Sequence, residues 1–273
     1  MLSLLVQSCE VGALLSVIIA AGVVFAGAAG ASTTLQFAKV PFAESKHLYV
    51  IYYGHLVDEN GKVTDQATRI LAARPELVIV QHSFPDGQLN LTPSVQQQFK
   101  DAGIKVLTYA WTNYGARDLN AVKADIGSQM ASGVDGIFVD EVTNIKSDVE
   151  YRYYEAIDKQ VKSYGQDKLV VMNPGHYKVS ERIMLISDIV SLEEEWVYYG
   201  QITWMHKYPS SRFMGVSSNE YCTGCINESN AAGETAKAWD AGIGYHFTTD
   251  MYVDLPTWFN SYISQVEQKK TMQ

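Results

Sequence analysis

The sequence predicts an α/β fold of the (β/α)8 TIM-barrel type, folded as a single domain. Eight short apolar runs, rich in Val, Ile and Tyr, recur along the chain, and runs of this kind are typical of buried strands. The segments between them have helical length and helical spacing, so strands alternate with helices as a parallel barrel requires. The predicted strands are Leu48–Tyr53, Leu77–Gln81, Lys105–Ala110, Gly136–Glu141, Leu169–Asn173, Asp188–Glu194, Phe213–Ser217 and Ile243–Thr248.

Turn residues and helical periodicity support the individual units. Asn60-Gly61 precedes the first predicted helix, and Pro93 lies in the first turn of a helix that runs to Ala102. Gly103 ends that helix before the third strand. Residues 148–165 carry apolar side chains on one helical face and charged side chains on the other, which predicts a helix lying on the sheet. Its apolar positions are Val149, Tyr153, Ile157, Val161 and Tyr164.

The composition fits one globular domain and argues against some partners. The chain has 273 residues, of which 47% are apolar and 19% charged. A domain of this size buries enough surface to form a core without disulfides. The formal net charge is −9, whereas phosphate binding requires clustered Lys and Arg. We therefore expect no nucleic-acid partner, and the sequence indicates no cofactor.

Residues 1–38 differ in kind from the rest of the chain. Val11–Ala29 is nearly unbroken apolar sequence, and the small residues over 25–31 are of the kind that a signal peptidase accepts. The stretch is also at the lower limit for a membrane span. Lys39 and Lys46 follow it, which counts against export by the positive-inside rule, but two lysines are a small bias. We predict a secreted or cell-surface-anchored protein, with a signal peptide or membrane anchor at 1–31, a linker at 32–46 and the barrel at 47–268.

Two cysteines lie close together on the loop after the seventh strand. Cys222 and Cys225 enclose Thr-Gly, and in an exported protein such a pair predicts a local disulfide. A redox pair would have to open a helix after a strand. A zinc site would need two further ligands nearby, which the sequence lacks.

Polar and aromatic residues collect where the predicted strands end, which is where barrels of this type place their chemistry. Aromatic rings beside acids and amides suit a sugar, because ring faces stack on C–H surfaces while polar groups hold hydroxyls. The sequence therefore predicts a carbohydrate site with a polysaccharide partner. Its candidate binding residues are Tyr52, Tyr53, His55, His82, Tyr109, Trp111, Asn173, Trp196 and His246.

The fourth strand ends in two acids, Asp140 and Glu141. A buried unpaired carboxylate costs several kcal/mol, so a role in chemistry is one explanation. The alternative is that Asp140 caps the following helix and Glu141 is merely exposed. The sixth strand also ends in acids, Glu193–Glu195, which favours the first explanation because two carboxylates can then face each other. A solvated acidic loop is the alternative for that run.

Several elements together resemble one known family. They are Tyr49–Tyr53, Gly133–Glu141, Asn173-Pro174-Gly175, and Asp188–Val190 running to an acid. The resemblance is to the spherulin-4-like family, also called spherulation-specific family 4, which includes glycoside hydrolase family 135. It extends over roughly residues 47–265.

The resemblance implies a (β/α)8 barrel that cleaves within α-1,4-linked polymers containing galactosamine or N-acetylgalactosamine. The family's aspartate–glutamate pair falls on Asp140 and Glu141, and its sixth-strand acid falls most naturally on Glu194. The family usually has no acids on either side of that residue, where this chain has Glu193 and Glu195. The implied roles are Glu194 as general acid, Asp140 as nucleophile or oxocarbenium-stabilising carboxylate, and Glu141 as an orienting group.

Two other functions are consistent with parts of the sequence. The barrel could bind glycans without cleaving them, as a surface or matrix protein, because fold does not determine activity. Alternatively, His55, His82 and His246 could join Asp140 around a metal ion. The first strand lacks a His-x-His pair, and strand-end histidines are more often hydrogen-bonded than ligating, so we predict no metal site.

Overall fold

Eight parallel strands close into a barrel in which each strand pairs with its neighbours in sequence and β8 pairs with β1. The structure is a computed structural model, and it describes residues 45–175, 179–193, 202–219 and 223–271. The predicted (β/α)8 barrel is confirmed. Its strands are β1 (His47–Tyr52), β2 (Leu77–Val80), β3 (Lys105–Trp111), β4 (Gly136–Asp140), β5 (Leu169–Met172), β6 (Ile189–Glu193), β7 (Phe213–Ser217) and β8 (Tyr245–Thr248).

Helices follow most of the strands, as predicted, with an exception on one side of the barrel. Within the described ranges, β5 is followed by the 3-10 segment Glu181–Leu185, and β6 by 3-10 segments at Met205–Lys207 and Ser210–Arg212. The β5–β6 and β6–β7 connections are the shortest in the barrel, so they leave little room for an α-helix with its two loops. The α-helices are α1 (Asp65–Ala73), α2 (Pro93–Asp101), α3 (Leu119–Ala131), α4 (Asp148–Lys162), α5 (Ala231–Asp240) and α6 (Phe259–Thr271).

Helix α4 begins where the sequence predicted, but its buried face is different. Ser147 and Glu150 form a capping box, in which the Ser147 hydroxyl accepts from the N–H of Glu150 and the Glu150 carboxylate accepts from the N–H of Ser147. Val149 is 80% exposed and Tyr164 42% exposed, which contradicts their predicted places on the apolar face. Tyr154 is buried there with Ile157 and Val161.

Acids at the N-terminal end of the barrel, where the strands begin, follow a regular pattern. One acid stands immediately before each of β2, β4 and β6, and its carboxylate accepts the N–H of the second residue of the preceding strand. This satisfies donors that the ladder leaves unpaired. The three bonds run from Leu48 N to Glu76 Oε2 (2.9 Å), from Val106 N to Asp135 Oδ2 (2.9 Å) and from Val170 N to Asp188 Oδ2 (2.8 Å).

The fourth strand pair departs from this pattern. Gly244 stands before β8, where each of the other three pairs has an acid, so this position offers no side-chain carboxylate. A Cβ atom at Gly244 would lie 2.4 Å from the carbonyl oxygen of Ser210. Close backbone packing therefore excludes an acidic side chain at this position.

The predictions for residues 1–31 and most of 32–46 lie outside the described residues. In the part of the chain that the structure describes, no helix has the length and apolar composition needed to cross a membrane.

Candidate functional site

The ends of β3 and β4 carry matched side chains into the barrel at its C-terminal end, where the strands finish. Tyr109 pairs in register with Phe138, and Trp111 pairs with Asp140. Neighbours in register share a face of the sheet. The Tyr109 ring lies 6.4 Å from Phe138 and 5.3 Å from the ring of Tyr53, between centroids. Tyr53 follows β1, which is separated from β3 by β2. Side chains of such strands meet most readily inside the barrel, so the shared face is the barrel interior.

Asp140 is held by an amide from the next strand. The side-chain nitrogen Nδ2 of Asn173 donates to Asp140 Oδ1 at 2.7 Å. The other end of that amide, Oδ1, accepts from Gly175 N at 3.1 Å, which fixes which way the amide points. Asn173 is 1% exposed, so packing holds the amide in place and its bond fixes the position of the Asp140 carboxyl group.

Glu141 leaves the strand in a left-handed conformation, with a φ of 54°. Non-glycine residues rarely adopt this conformation, and surrounding contacts must hold it. The Glu141 carbonyl accepts from Tyr114 N at 2.8 Å, and its Oε2 accepts from Asn113 N at 3.1 Å. The turn therefore fixes Glu141 against the loop after β3. In a regular strand, Asp140 and Glu141 would point to opposite faces of the sheet. Because β4 ends at Asp140, this rule does not fix the direction of the Glu141 side chain.

The alternative in which Asp140 caps the following helix does not describe this structure. Ser147 is the cap of α4, since its hydroxyl accepts from the N–H of Glu150. The Asp140 side chain bonds to Asn173 instead. The pair at the end of β4 is therefore not explained by helix capping.

A cleft of about 640 Å3 lies beside the end of β3. It lies between the loop after β2 and helix α3, and Trp111 lines it as well as pairing with Asp140. The cleft exists because β2 ends at Val80 while β3 continues to Trp111. The Tyr109 carbonyl lies beyond the last β2 pair, and Gln129 Nε2 donates to it at 3.2 Å. Of the predicted binding residues, His82, Tyr109 and Trp111 line this cleft.

A basic residue supports the ring of Trp111. The guanidinium carbon of Arg117 lies 4.7 Å from the Trp111 ring centroid, a distance at which cation–π attraction operates. Arg117 Nη1 also donates to the Trp111 carbonyl at 3.2 Å, and its Nη2 forms an ion pair with Asp125. Trp111 is 42% exposed, so a supported aromatic surface faces solvent beside Asp140.

Comparison with known proteins places this architecture in a family. The profile of spherulation-specific family 4 matches residues 63–269, which is most of the chain. The chain belongs to spherulation-specific family 4. Within that family, Spherulin-4 of Physarum polycephalum is 32% identical over 95 residues. That match spans 34% of this chain and 28% of the relative, so it covers about a third of this chain and less than a third of the relative.

Solved structures show that the barrel fold of this spherulation-specific family 4 member is shared widely. The crystal structure of Aspergillus clavatus Sph3 in complex with GalNAc superposes with a TM-score of 0.63 at 17% identity, covering 82% of this chain and 98% of that one. Alpha-galactosidase I from Mortierella vinacea gives 0.51 at 12% identity, covering 81% and 72%. Alpha-L-fucosidase AlfC from Lactobacillus casei gives 0.50 at 10%, covering 79% and 80%. These likenesses show the fold.

Two of the predicted binding residues are buried away from the cleft. Tyr52 is 2% exposed, and its hydroxyl donates to the carbonyl of His55 at 3.3 Å. His246 is fully buried and contacts Ser217 Oγ at 3.3 Å and Thr235 Oγ1 of α5 at 3.1 Å. Burial lowers the pKa of His246 to about 3. Both side chains point outward from their strands, toward the surrounding layer, so neither presents a surface to a ligand.

The other two histidines predicted to bind, His82 and His55, lie on the cleft side of the barrel. His82 lines the cleft, and burial lowers its pKa below the ordinary 6.5. His55 is exposed, and its ring lies 4.3 Å from that of Phe84, another residue of the cleft. Among the described residues, no three His, Cys, Asp or Glu side chains come together as a metal site would require. His246 faces α5, so the postulated group with Asp140 does not form.

The remaining predicted residues fall where the structure describes little or nothing. Glu194, Glu195, Trp196 and Cys222 lie outside the described residues. Strand β6 ends at Glu193, one residue before the predicted end at Glu194, so the prediction for the acids of this strand end stays a prediction. Cys225 is disulfide-bonded.

Sequence reasoning missed the residues that build the cleft wall and the turn. Arg117, Asp125 and Gln129 lie on α3 and the loop before it, and nothing in their spacing marks them. Tyr154 lies on α4, where its neighbour Tyr153 fitted the apolar pattern equally well. These contacts depend on the course of the loop after β3, which contains Arg117 and Thr112, and the sequence does not show that course.

Proposed function

We propose that this protein is an exported glycoside hydrolase that cleaves within a galactosamine- or N-acetylgalactosamine-containing polysaccharide, with α-1,4 linkages. The observation that carries the proposal is the Asp140 carboxyl group, held by Asn173 at the C-terminal end of the barrel beside the supported ring of Trp111. Membership of spherulation-specific family 4 supports it. So does the fold shared with Sph3, whose crystal structure contains GalNAc.

The chemistry requires two acids with different roles. One carboxyl group must hold a proton for the leaving oxygen while the other stays ionised near the sugar ring. Asp140 serves as nucleophile or oxocarbenium-stabilising carboxylate in this proposal. Glu194 serves as general acid, an assignment that rests on the sequence. Glu141, fixed by Asn113 N, orients a hydroxyl or amine of the substrate.

The cleft supplies the binding surface for the polymer. Trp111 and Tyr109 offer aromatic surface, and His82 and Arg117 offer hydrogen-bond donors, which together suit a hydroxylated ring. Tyr53 extends this set through its contact with Tyr109, and His55 lies at the rim beside Phe84. Tyr52, His246 and Asn173 are left out because they are buried, and Asn173 holds Asp140 instead. We expect substrate to bind along this cleft with the scissile bond over Asp140.

Export is the second part of the proposal and rests on residues 1–31. The apolar stretch Val11–Ala29 followed by small residues is the pattern of a signal peptide. Expression of the full chain with a C-terminal tag should place the protein outside the cell or on its surface. Deletion of residues 1–31 should retain it inside, and equal export of the two forms would contradict the proposal.

Asp140→Asn tests the enzymatic assignment. The amide keeps the size of the side chain but cannot act as a nucleophile or carry the charge, so turnover should fall at least about 100-fold. New reducing ends released from a galactosamine polymer measure turnover, and urea unfolding checks that the variant is folded. Asp148→Asn is the matched control, because Asp148 is a carboxylate whose side chain is 78% exposed in an ion pair with Arg182.

The possible results separate the two candidate functions. Cleavage by Asp140→Asn at the wild-type rate would reject the role of Asp140. Wild-type protein that binds the polymer without producing reducing ends would reject hydrolysis and support a non-catalytic glycan-binding protein instead.

A further inference from the structure

Two hydroxyl groups lie beneath the turn that carries the two acids of β4. Tyr154 of α4 and Thr112, which follows β3, are both fully buried. The Tyr154 hydroxyl lies 3.2 Å from Thr112 Oγ1 and accepts from Thr143 N at 2.9 Å. Thr112 Oγ1 in turn contacts the carbonyl oxygens of Glu141 at 2.8 Å and Asp140 at 3.1 Å.

The direction of these hydrogen bonds follows from the number of protons. A threonine hydroxyl has one proton, and carbonyl oxygens only accept, so Thr112 donates toward the carbonyls of the acid pair. Thr112 must then accept from Tyr154, which donates its only hydroxyl proton. Burial raises the pKa of Tyr154 above the ordinary 10.0, so the phenol keeps that proton at neutral pH.

We propose that Tyr154 is a positioning residue for the reaction, acting through Thr112 to hold the Asp140–Glu141 turn in the conformation that sets the direction of both carboxyl groups. This inference rests on the proposed function. The left-handed Glu141 needs contacts that hold it, and the Tyr154 hydroxyl binds the turn on both sides. It reaches Glu141 through Thr112 and the chain after the acids through Thr143 N. Tyr154 touches neither carboxyl group, so its effect is indirect.

Helix α6 contains a matched control for this arrangement. Tyr262 is 1% exposed, accepts from Thr248 N at 3.1 Å, and shares a hydrogen bond of 2.9 Å with Thr235 Oγ1. The hydroxyl of Tyr262 therefore has the same two kinds of partner as that of Tyr154, a backbone N–H and a threonine hydroxyl. It lies away from the acid pair. Removing either hydroxyl should lower stability comparably, whereas only Tyr154 should affect the site.

The experiment compares Tyr154→Phe with Tyr262→Phe by two measurements. The first is native-state hydrogen exchange at Asn113 and Tyr114, whose N–H groups bond to Glu141. Exchange at both should accelerate roughly tenfold in Tyr154→Phe, the effect of losing about one hydrogen bond, and stay unchanged in Tyr262→Phe. The second is steady-state hydrolysis, where kcat should fall roughly tenfold for Tyr154→Phe with KM unchanged.

A double-variant cycle tests the route. In a Glu141→Gln background, Tyr154→Phe should lower kcat by less than it does alone, because the two residues act through one turn. Unchanged exchange at Asn113 and Tyr114 would overturn the inference, as would accelerated exchange with wild-type kcat. If the wild-type protein produces no reducing ends, the proposed function fails, and the exchange rates alone decide whether Tyr154 holds the turn.

Discussion

Carboxyl groups occupy both ends of the barrel, and their neighbours differ. At the N-terminal end, Glu76, Asp135 and Asp188 each accept a buried N–H from the adjacent strand. At the C-terminal end, Asp140 accepts from a side-chain amide and Glu141 from a loop N–H. Acids that precede strands thus complete the sheet, whereas the two acids at the end of β4 bond to an amide side chain and to a loop. We therefore expect the first group to serve stability and, under the proposed function, the second group to serve chemistry.

Asp188→Ala should give the largest effect at the N-terminal end. The substitution leaves the buried N–H of Val170 without its acceptor, which costs about 2 kcal/mol of unfolding free energy. Lys162 loses its ion pair with Asp188 but keeps a bond of 2.6 Å to the carbonyl of Lys168. Urea unfolding measures the loss, and kcat per folded molecule should match the wild type. A fall in kcat without a loss of stability would contradict the assignment of the N-terminal acids to stability.

Trp111→Ala should give the next largest effect, at the C-terminal end. Loss of the ring should raise KM for a galactosamine oligosaccharide roughly tenfold, the equivalent of about 1.4 kcal/mol of binding. Tyr164→Ala is the control, because Tyr164 is also 42% exposed and bonds to Gly127 of α3. An equal change of KM in both variants would show that the Trp111 surface is not specific.

Glu76→Gln should give the smallest effect on stability. It tests the role of an N-terminal acid through the pH dependence of the unfolding free energy. Burial opposes ionisation of Glu76, but its hydrogen bond with His47 and the charge of Lys270 outweigh that effect and lower its pKa below the ordinary 4.5. The ionised group therefore stabilises the protein fully above pH 4.5, and this contribution is lost as pH falls through the lower pKa of the folded state. Unfolding free energies from pH 7 to pH 3 should decline less steeply in Glu76→Gln. Parallel curves would contradict the assignment.

Most of the barrel was predictable because its strands are buried on both faces. Each predicted strand end lies within two residues of the observed one, since continuous runs of Val and Ile leave little ambiguity. Alternation also contains more information than the prediction used. Tyr49 donates across the barrel to the Gly215 carbonyl at 3.0 Å, so Tyr53 shares its inward face and Tyr52 faces outward.

The candidate site was predictable only in part, for physical reasons. Asp140 follows directly from the strand end, because an acid closing an apolar run has few structural uses. The left-handed turn at Glu141 depends on a loop and on α4, and neither leaves a local signal. The cleft wall formed by Arg117 and Asp125 depends on the difference between the end points of β2 and β3. The sequence of either strand alone does not show that difference.

The early end of β2 has a consequence for how long molecules approach the barrel. The last residue of β2, Val80, pairs with Thr108, whereas β3 continues three residues further, to Trp111. The rim of the barrel therefore has a step, which lies between the loop after β2 and helix α3. In the proposed function, a polymer chain in this step would lie against Trp111, which pairs with Asp140, and would not have to insert a terminus. Digestion should therefore release fragments of mixed length from the outset, and blocking the ends of the chain should not slow it.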